Sequence, residues 1–386
     1  MKMLKIKRVP FFLIEKIFFS ILCAVIPVRK NLILFGSGFN KFSDNPKFLF
    51  LHFQKSHLYT SVWISTNKAE VLQMRKQGYN CLYKWSFKAF FTVIKASKWI
   101  VSHKGADIFP FVPKRTIIIN LWHGTPIKKI GFDSLKELEW IDNVLKTGRK
   151  LPYDRWDYFI TASENTNFIF KSAMRLNDEK LKALGQPRNQ FIYDTIATSN
   201  NINDLKGQMP FLELLNDRQL ILYTPTFRNN IDSTNYIKDS LIKIDALLEK
   251  NQNQILLFKP HPLDKATFDA EFFGKLHNVL NVSTEDTQEL LCISDVLITD
   301  YSSILFDFMI TQRPIIAHVF DHEEYVKESG GLYFSFDKMG ITIAHNKDEL
   351  IGCLSNIDSL TNTYNSNGFN TPNSSEKILS FIASLD

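Results

Sequence analysis

Short apolar runs rich in β-branched residues recur along this chain, separated by longer stretches with helical spacing. In the first half they are Leu32–Phe35, Val62–Ser65, Trp99–Ser102, Ile117–Leu121 and Tyr158–Ala162. In the second half they are Ile221–Tyr223, Ile255–Phe258, Leu280–Val282, Val296–Thr299 and Ile315–Val319. Strands that alternate with helices indicate parallel sheets covered by helices on both faces. The pattern therefore predicts an α/β fold with two doubly wound, Rossmann-like halves.

A polar, turn-rich stretch near residue 200 separates the two halves, where residues 199–208 read SNNINDLKGQ. A chain of 386 residues usually folds into two domains, so we expect one over residues 31–200 and another over residues 201–386. Gly36-Ser37-Gly38 follows the first run but lacks the third glycine of a dinucleotide-binding fingerprint. We interpret it as a tight turn.

A distinctive polar turn follows the run Ile117–Leu121, and residues 121–131 read LWHGTPIKKIG. Open α/β sheets bind ligands at the carboxyl ends of their strands, where this turn would place His123. Because imidazole titrates near neutrality, His123 is a candidate general base, and a turn-capping histidine is the alternative. Lys128 and Lys129 favour an anionic ligand, although neighbouring lysines commonly form a solvated face.

Three runs of the second half also end in polar turns: residues 220–228 read LILYTPTFR, 254–262 read QILLFKPHP and 295–303 read DVLITDYSS. The candidate ligand-binding side chains on these turns are Arg228, Lys259, His261, Asp300, Ser302 and Ser303. Ser302 and Ser303 precede an apolar helical stretch, and the free N–H groups at a helix start attract anions. This half is therefore predicted to bind phosphate groups.

The formal net charge of +6 favours anionic partners such as nucleotides, phosphate polymers and anionic lipids. No zinc-finger spacing, RNA-binding signature or dense arginine tract is present, so we do not expect nucleic acid as a partner. The four cysteines have no paired spacing, which argues against a disulfide framework and a zinc site. We predict no metal site and no required cofactor, and Mg²⁺ assistance is left open.

The N-terminal segment, residues 1–30, combines apolar and basic residues. Residues 10–28 read PFFLIEKIFFSILCAVIPV, with lysine or arginine at positions 2, 5, 7, 8, 29 and 30. Glu15 and Lys16 interrupt the apolar stretch, which disfavours both a signal peptide and a membrane-spanning helix. The pattern predicts a helix lying in the interface of an anionic membrane, and a packing helix of a soluble domain is the alternative.

Taken together, these motifs resemble the CDP-glycerol glycerophosphotransferase family, whose members build the polyol-phosphate backbones of teichoic acids and related capsule polymers. The matching strings are LWHGTPIKKIGFD (121–133), LGQPRN (184–189), YTPTFR (223–228), FKPHP (258–262), ITDYSSILFDF (298–308) and RPII (313–316). FSDNPKFL (42–49) is a weaker echo. The resemblance covers about residues 31 to 335, nearly the whole chain.

This resemblance implies a GT-B architecture, two Rossmann-like domains facing a cleft, with the donor nucleotide on the C-terminal domain and the acceptor on the N-terminal one. It implies transfer of glycerol phosphate from CDP-glycerol to a hydroxyl of a membrane-linked or polymeric polyol-phosphate or glycan acceptor, with release of CMP. The reaction would take place at the cytoplasmic face of the membrane, with the enzyme peripherally bound.

The resemblance also assigns roles to residues. His123 and His261 would be catalytic, with His123 taking the hydroxyl proton. Donor contacts would come from Arg228, Lys259, Asp300, Ser302, Ser303 and Glu289, and acceptor or phosphate contacts from Lys128, Lys129 and Asp133. Arg228 would hold phosphate oxygens with two parallel hydrogen bonds. For Glu289 the alternative is an exposed helical side chain.

Two acidic residues usual in the family are absent. Phe227-Arg228-Asn229 stands where Trp-Arg-Asp is common, and Gln190 follows Asn189 where aspartate is usual. The donor polyol therefore stays open between glycerol and ribitol. A GT-B glycosyltransferase or epimerase using a sugar nucleotide and a non-catalytic membrane assembly factor are the alternative functions.

Overall fold

The structure is a computed structural model that describes residues 16–38, 41–215, 218–228, 231–261, 263–264, 267–360, 364 and 368–386. The first sheet has seven parallel strands in the order β3-β2-β1-β4-β5-β6-β7. They are β1 (Arg29–Phe35), β2 (Thr60–Ser65), β3 (Cys81–Tyr83), β4 (Ala96–Val101), β5 (Ile117–Asn120), β6 (Tyr158–Ile160) and β7 (Leu181–Lys182). The helices of this part are α1 (residues 16–25), α2 (Asp44–Ser56), α3 (Lys68–Lys76), α4 (Phe87–Lys95), α5 (Leu135–Lys146) and α6 (Asn167–Ala173).

The second sheet has six parallel strands in the order β10-β9-β8-β11-β12-β13. They are β8 (Gln219–Thr224), β9 (Gln254–Phe258), β10 (Val279–Asn281), β11 (Val296–Thr299), β12 (Ile315–His318) and β13 (Thr342–Ala344). Its helices are α9 (Ile231–Lys250), α10 (Ala270–Phe273), α11 (Thr287–Ile293), α12 (Ile304–Phe308), α13 (His322–Ser329) and α14 (Lys347–Ser355). Two helices, α7 (Pro187–Ile196) and α8 (Ser199–Gly207), connect the sheets.

The prediction of two doubly wound parallel sheets is confirmed. Each sheet changes direction beside its first strand, between β1 and β4 and between β8 and β11. Such a switch point leaves a crevice at the carboxyl ends of the strands, because the connections on its two sides leave in opposite directions. The central strands are buried on both faces, as in Ile33, Leu34 and Phe35, so they read as continuous apolar runs.

The last helix, α15 (Ser374–Ala383), packs against the first sheet and not the second. Ile378 and Ile382 belong to the apolar cluster of β1, β2 and α2. Lys98 on β4 forms an ion pair with Asp386. This helix therefore lies apart from the rest of residues 201–386, which we had expected to form one domain.

Residues 16–25 form helix α1, and residues 1–15 of the predicted interface helix lie outside the described part of the chain. Phe19 is buried among Phe90, Phe109 and Phe111 of the first domain. Arg29 and Lys30 are not helical, because they begin β1. Of the described helices, none combines the length and the apolar character that a bilayer crossing requires.

Candidate active site

A cleft with a volume of about 1020 Å³ lies between the carboxyl ends of the two sheets. One wall is the segment from Trp122 to Glu137, which follows β5 in the first sheet. The other wall carries Thr226–Arg228, His261, Tyr301–Ser303 and part of α13. The cleft therefore brings together side chains from both halves of the sequence, at the position where parallel sheets bind ligands.

The turn that carries His123 is held by Asn120 at the end of β5 and by Asn45, which belongs to the string FSDNPKFL. Trp122 has a φ of +54°, a left-handed conformation that costs energy for a bulky residue. Asn120 Oδ1 accepts a hydrogen bond from Trp122 N at 2.7 Å, and Asn45 Nδ2 donates to Trp122 O at 3.0 Å. Two asparagine side chains thus stabilise the strained backbone immediately before His123.

Position 124 requires glycine for two reasons, its backbone conformation and the lack of room for a side chain. Its φ is +125°, and a Cβ at this position would lie 2.4 Å from Arg188 Nη2 and 2.4 Å from Ser303 Oγ. A side chain here would push apart the two walls of the cleft. Glycine therefore allows the His123 turn of the first domain to approach the start of α12 in the second.

His123 is arranged to accept a proton. Its Nδ1 lies 3.5 Å from Ser102 O, and because a carbonyl only accepts, Nδ1 carries the hydrogen and Nε2 is left as the acceptor. Burial lowers the pKa of His123 well below its ordinary value, and His103 lowers it further. The imidazole is therefore neutral at pH 7, as a general base must be.

His103 was missed by the sequence analysis. Its ring stacks on that of His123, with the centroids 4.1 Å apart and the planes 10° apart. Its Nδ1 lies 2.9 Å from Ser102 Oγ, and its backbone N donates to the buried Asp107 carboxylate at 2.8 Å. The signal was present, because His103 begins the polar turn after β4 just as His123 does after β5.

The two lysines after the His123 turn lie where the two domains meet. Lys128 forms an antiparallel bridge with Leu332, and Lys129 N donates to Gly331 O at 3.0 Å. Both side chains line the cleft, and partial desolvation there lowers the pKa of Lys128. Their placement fits the predicted contact with an anion.

Asp133 does not line the cleft, although we had grouped it with the lysines. Its carboxylate accepts hydrogen bonds from Tyr333 at 2.7 Å and Ser172 at 2.5 Å. Asp133 therefore links the two domains beside the site.

Arg228 is held by acidic neighbours. Its Nη2 lies 2.9 Å from Asp300 Oδ2 and 3.1 Å from Asp321 Oδ1, and Nε also pairs with Asp321. Its guanidinium lies over the Tyr325 ring, 4.6 Å from the centroid. The expectation that Arg228 binds a phosphate through two nitrogens differs from this arrangement, because Nε and Nη2 already bind carboxylates and Nη1 donates to Thr226 O.

Asp300 lies at the centre of this cluster. Besides Arg228, it accepts hydrogen bonds from Thr226 N at 3.0 Å and from Thr226 Oγ1 at 3.0 Å. It is 2% exposed, and burial raises its pKa while Arg228 opposes the rise. Asp300 and Arg228 therefore fix the turn after β8 against the turn after β11.

His261, Ser302 and Ser303 line the wall of the cleft that belongs to the second sheet. Leu263 N donates to His261 Nδ1 at 3.3 Å, so the hydrogen of the neutral ring lies on Nε2. Burial lowers the pKa of His261, with a further contribution from Lys128. His261 and His123 therefore present opposite functions, a donor Nε2–H and an acceptor Nε2. Ser303 is the N-cap residue of α12.

Three predicted donor residues, Lys259, Asp300 and Glu289, do not line the cleft. Lys259 Nζ donates to Glu285 O at 2.6 Å. Glu289 lies on α11, where burial and the nearby Asp286 carboxylate raise its pKa. Among the residues that the structure describes, no group of three or more histidine, cysteine, aspartate or glutamate side chains has the geometry of a metal site.

Comparison with known proteins identifies the family of this chain. A sequence profile of the CDP-glycerol:poly(glycerophosphate) glycerophosphotransferase family matches residues 17–371. The teichoic acid glycerol-phosphate transferase of Staphylococcus aureus is 31% identical over 344 residues, which are 87% of this chain and 86% of that protein. The teichoic acid poly(glycerol phosphate) polymerase of Bacillus subtilis is 29% identical over 346 residues, but they are only 45% of that longer protein.

The fold is also found in a solved structure. The wall teichoic acid polymerase TagF superimposes with a TM-score of 0.77 at 24% identity, over 92% of this chain and 89% of that one. At this identity the likeness shows the shared fold of two parallel-sheet domains. The family predicted from the sequence motifs, with its enzymatic activity, is confirmed by the profile match. The chain belongs to the CDP-glycerol:poly(glycerophosphate) glycerophosphotransferase family, the phosphotransferases of teichoic acid synthesis.

Proposed function

We propose that glycerol phosphate passes from CDP-glycerol to an acceptor hydroxyl in the cleft between the two sheets, and that CMP leaves. In this GT-B arrangement the second sheet binds the donor and the first presents the acceptor, a polyol-phosphate or glycan. The observation that carries the proposal is the pair of histidines, one on each wall, with complementary Nε2 atoms. Phosphoryl transfer needs this kind of positioning together with charge neutralisation.

His123 Nε2 would take the proton of the attacking hydroxyl as the oxygen bonds to the phosphorus that carries the glycerol. The bond from that phosphorus to the oxygen of CMP breaks, and the electron pair stays with CMP. His261 Nε2–H, the Ser302 and Ser303 hydroxyls and Lys128 line the cleft as donors for the charge on the diphosphate. Arg228 serves the donor site indirectly, by fixing the turn that precedes it.

The proposed chemistry draws its positive charge from Lys128 and Lys129, and His261, Ser302 and Ser303 add neutral hydrogen-bond donors, so no required metal is part of it. Mg²⁺ can still accompany a diphosphate as part of the substrate. Activity measured after chelation and after addition of Mg²⁺ tests this point, and complete dependence on the metal would contradict a cation supply from side chains alone.

Membrane attachment is supported by exposed apolar side chains on α1 and on the segment before and within α4. Ile17, Phe18, Ile21 and Val25 are exposed on α1, although Phe19 packs inward. Trp85, Phe87 and Phe91 are also exposed, and Phe87 is 88% accessible. The neighbouring Lys16 and Lys88 are exposed as well. Apolar and basic side chains together favour the interface of an anionic membrane, and we propose that the protein binds its cytoplasmic face.

Liposome sedimentation tests the attachment with point variants, which leave the inward-facing Phe19 in place. Phe18→Ser/Ile21→Ser/Phe87→Ser should release the protein from phosphatidylglycerol vesicles, whereas Leu72→Ser, an exposed change on α3, should not. Equal binding of both variants would place the membrane contact elsewhere.

The catalytic proposal is tested with purified full-length protein and a panel of nucleotides. CMP release from CDP-glycerol in the presence of a glycerol-phosphate acceptor is the expected result. Faster turnover of CDP-ribitol would show that the donor polyol is ribitol and not glycerol. Turnover of UDP-sugars would favour a sugar-nucleotide enzyme. A folded, membrane-bound protein that releases CMP from no donor would fit the non-catalytic assembly factor.

A further inference from the structure

One arginine, Arg188, lies at the seam of the two domains and has no role in the site described so far. It is the second residue of the connecting helix α7 and is 6% exposed. Its Nη1 donates to His123 O at 2.9 Å and pairs with Asp44 Oδ1 at 3.1 Å. Its Nη2 lies 2.8 Å from Asp307 Oδ2. One guanidinium thus contacts the catalytic turn, α2 of the first domain and α12 of the second.

The partners of Arg188 are themselves fixed. Asp307 is 1% exposed, and its Oδ2 also accepts a hydrogen bond from Gln288 Nε2 at 2.9 Å. Asn45 Oδ1 accepts from Arg188 N at 3.1 Å, while its amide group donates to Trp122 O. Arg188 Nη2 and Ser303 Oγ both lie close to Gly124, each 2.4 Å from where a Cβ would stand. A network of buried polar groups therefore connects the backbone of His123 with the helix that begins at Ser303.

The shape of the guanidinium matters here as much as its charge. Arginine presents five N–H donors in a rigid plane, so it can bind the His123 carbonyl and two carboxylates that lie in different directions. A lysine ammonium at this place keeps the charge but cannot reach all three acceptors with the same geometry. Displacement of a catalytic group by about 1 Å can cost about 10²-fold in rate.

We propose that Arg188 is a positioning residue that sets the distance between His123 on the acceptor side and Ser303 on the donor side. The inference rests on the proposed phosphotransfer in the cleft. It adds one residue, Arg188, that holds the two walls of the cleft at a fixed distance from each other. Arg188 touches no reacting atom. It acts through the His123 carbonyl and the Asp307 carboxylate.

Arg188→Lys tests this in the full-length enzyme. We expect kcat for CMP release to fall by about 10- to 100-fold, while calorimetry finds the affinity for CDP-glycerol changed by less than about threefold. Arg155→Lys is the matched control, because Arg155 likewise binds one carboxylate and backbone carbonyls, but away from the cleft. A kcat for Arg188→Lys within about twofold of wild type, or equal losses of kcat and donor affinity, would overturn the proposal.

Two further measurements separate positioning from simple charge balance. Arg188→Met alone leaves two buried carboxylates without a cation and should unfold at a lower temperature than wild type. In Arg188→Met/Asp44→Asn/Asp307→Asn these charges are gone, so we expect the unfolding temperature to rise again while kcat stays low. Recovery of kcat in this variant would show that Arg188 only neutralises the aspartates. In histidine-labelled protein, Arg188→Lys should shift the NMR resonance of His123 and not that of the exposed His277. An unmoved His123 resonance would contradict the proposal, whichever donor the wild-type enzyme uses.

Discussion

The imidazole ring of His103 lies face to face with that of His123, with 4.1 Å between the ring centroids. A proton on His103 therefore disfavours a second proton on His123, and burial acts in the same direction. Since a general base works in its neutral form, the lowered pKa of His123 keeps it active below its ordinary titration range.

We predict that the acid limb of the pH profile of kcat/KM lies below pH 6.5, the ordinary pKa of histidine. Replacement of His103 by asparagine removes the neighbouring charge, so the pKa of His123 should rise and the acid limb should move to higher pH. Steady-state kinetics between pH 4.5 and pH 8 measure both effects. An acid limb that stays in place in His103→Asn would mean that His103 does not lower the pKa of His123.

His123→Ala should fold and bind CDP-glycerol, but its turnover should fall by about 10²–10⁴-fold, the usual effect of losing a general base. The reason is the free Nε2 acceptor that His123 presents to the cleft. His277→Ala, a change at an exposed histidine, is the control and should keep wild-type turnover. Near wild-type CMP release by His123→Ala would remove this residue from the mechanism.

On the donor side, we expect His261→Ala and the double variant Ser302→Ala/Ser303→Ala each to lose about 10²–10³-fold in rate. Each removes hydrogen-bond donors from the developing charge on the diphosphate. Rates of CMP release and calorimetric titration with CDP-glycerol provide the measurement. Unchanged values for both would place the diphosphate outside the wall formed by these residues.

Asp300→Ala should destabilise the second domain by about 3–5 kcal/mol, because it leaves the buried Arg228 without one of its two carboxylates. Thermal unfolding should show the loss. Asp300→Ala/Arg228→Met should recover part of it, since the uncompensated charge is then removed. If the single variant unfolds at the wild-type temperature, Asp321 alone is sufficient to hold Arg228.

The order of most strands could be predicted from short apolar runs in the sequence, because a strand that is buried on both faces is apolar at nearly every position. Leu32–Phe35 and Val296–Thr299 both belong to such strands. The edge strands β3, β7 and β13 were not predicted. They have two or three residues each, and pairing with a longer neighbouring strand defines them.

The candidate site was predictable where its residues follow strands, as His123, His261 and Ser302 do. The partners of charged groups were not, because an ion pair such as Arg188–Asp307 joins residues more than a hundred positions apart. Asp307 stands in an apolar helical stretch, where a carboxylate needs a partner, but the sequence does not identify that partner. Likewise, nothing local indicated that Asp321 would engage Arg228.

The return of α15 to the first sheet means that the chain crosses the seam twice. The two crossings lie side by side, since Asn189 Nδ2 donates to Asn370 Oδ1 at 2.6 Å and Gln190 Oε1 accepts from Ser374 N at 3.1 Å. Any relative motion of the two sheets must bend both crossings at this one place. A hinge motion that opens and closes the cleft between the two sheets is therefore favoured over twisting or sliding of one sheet against the other.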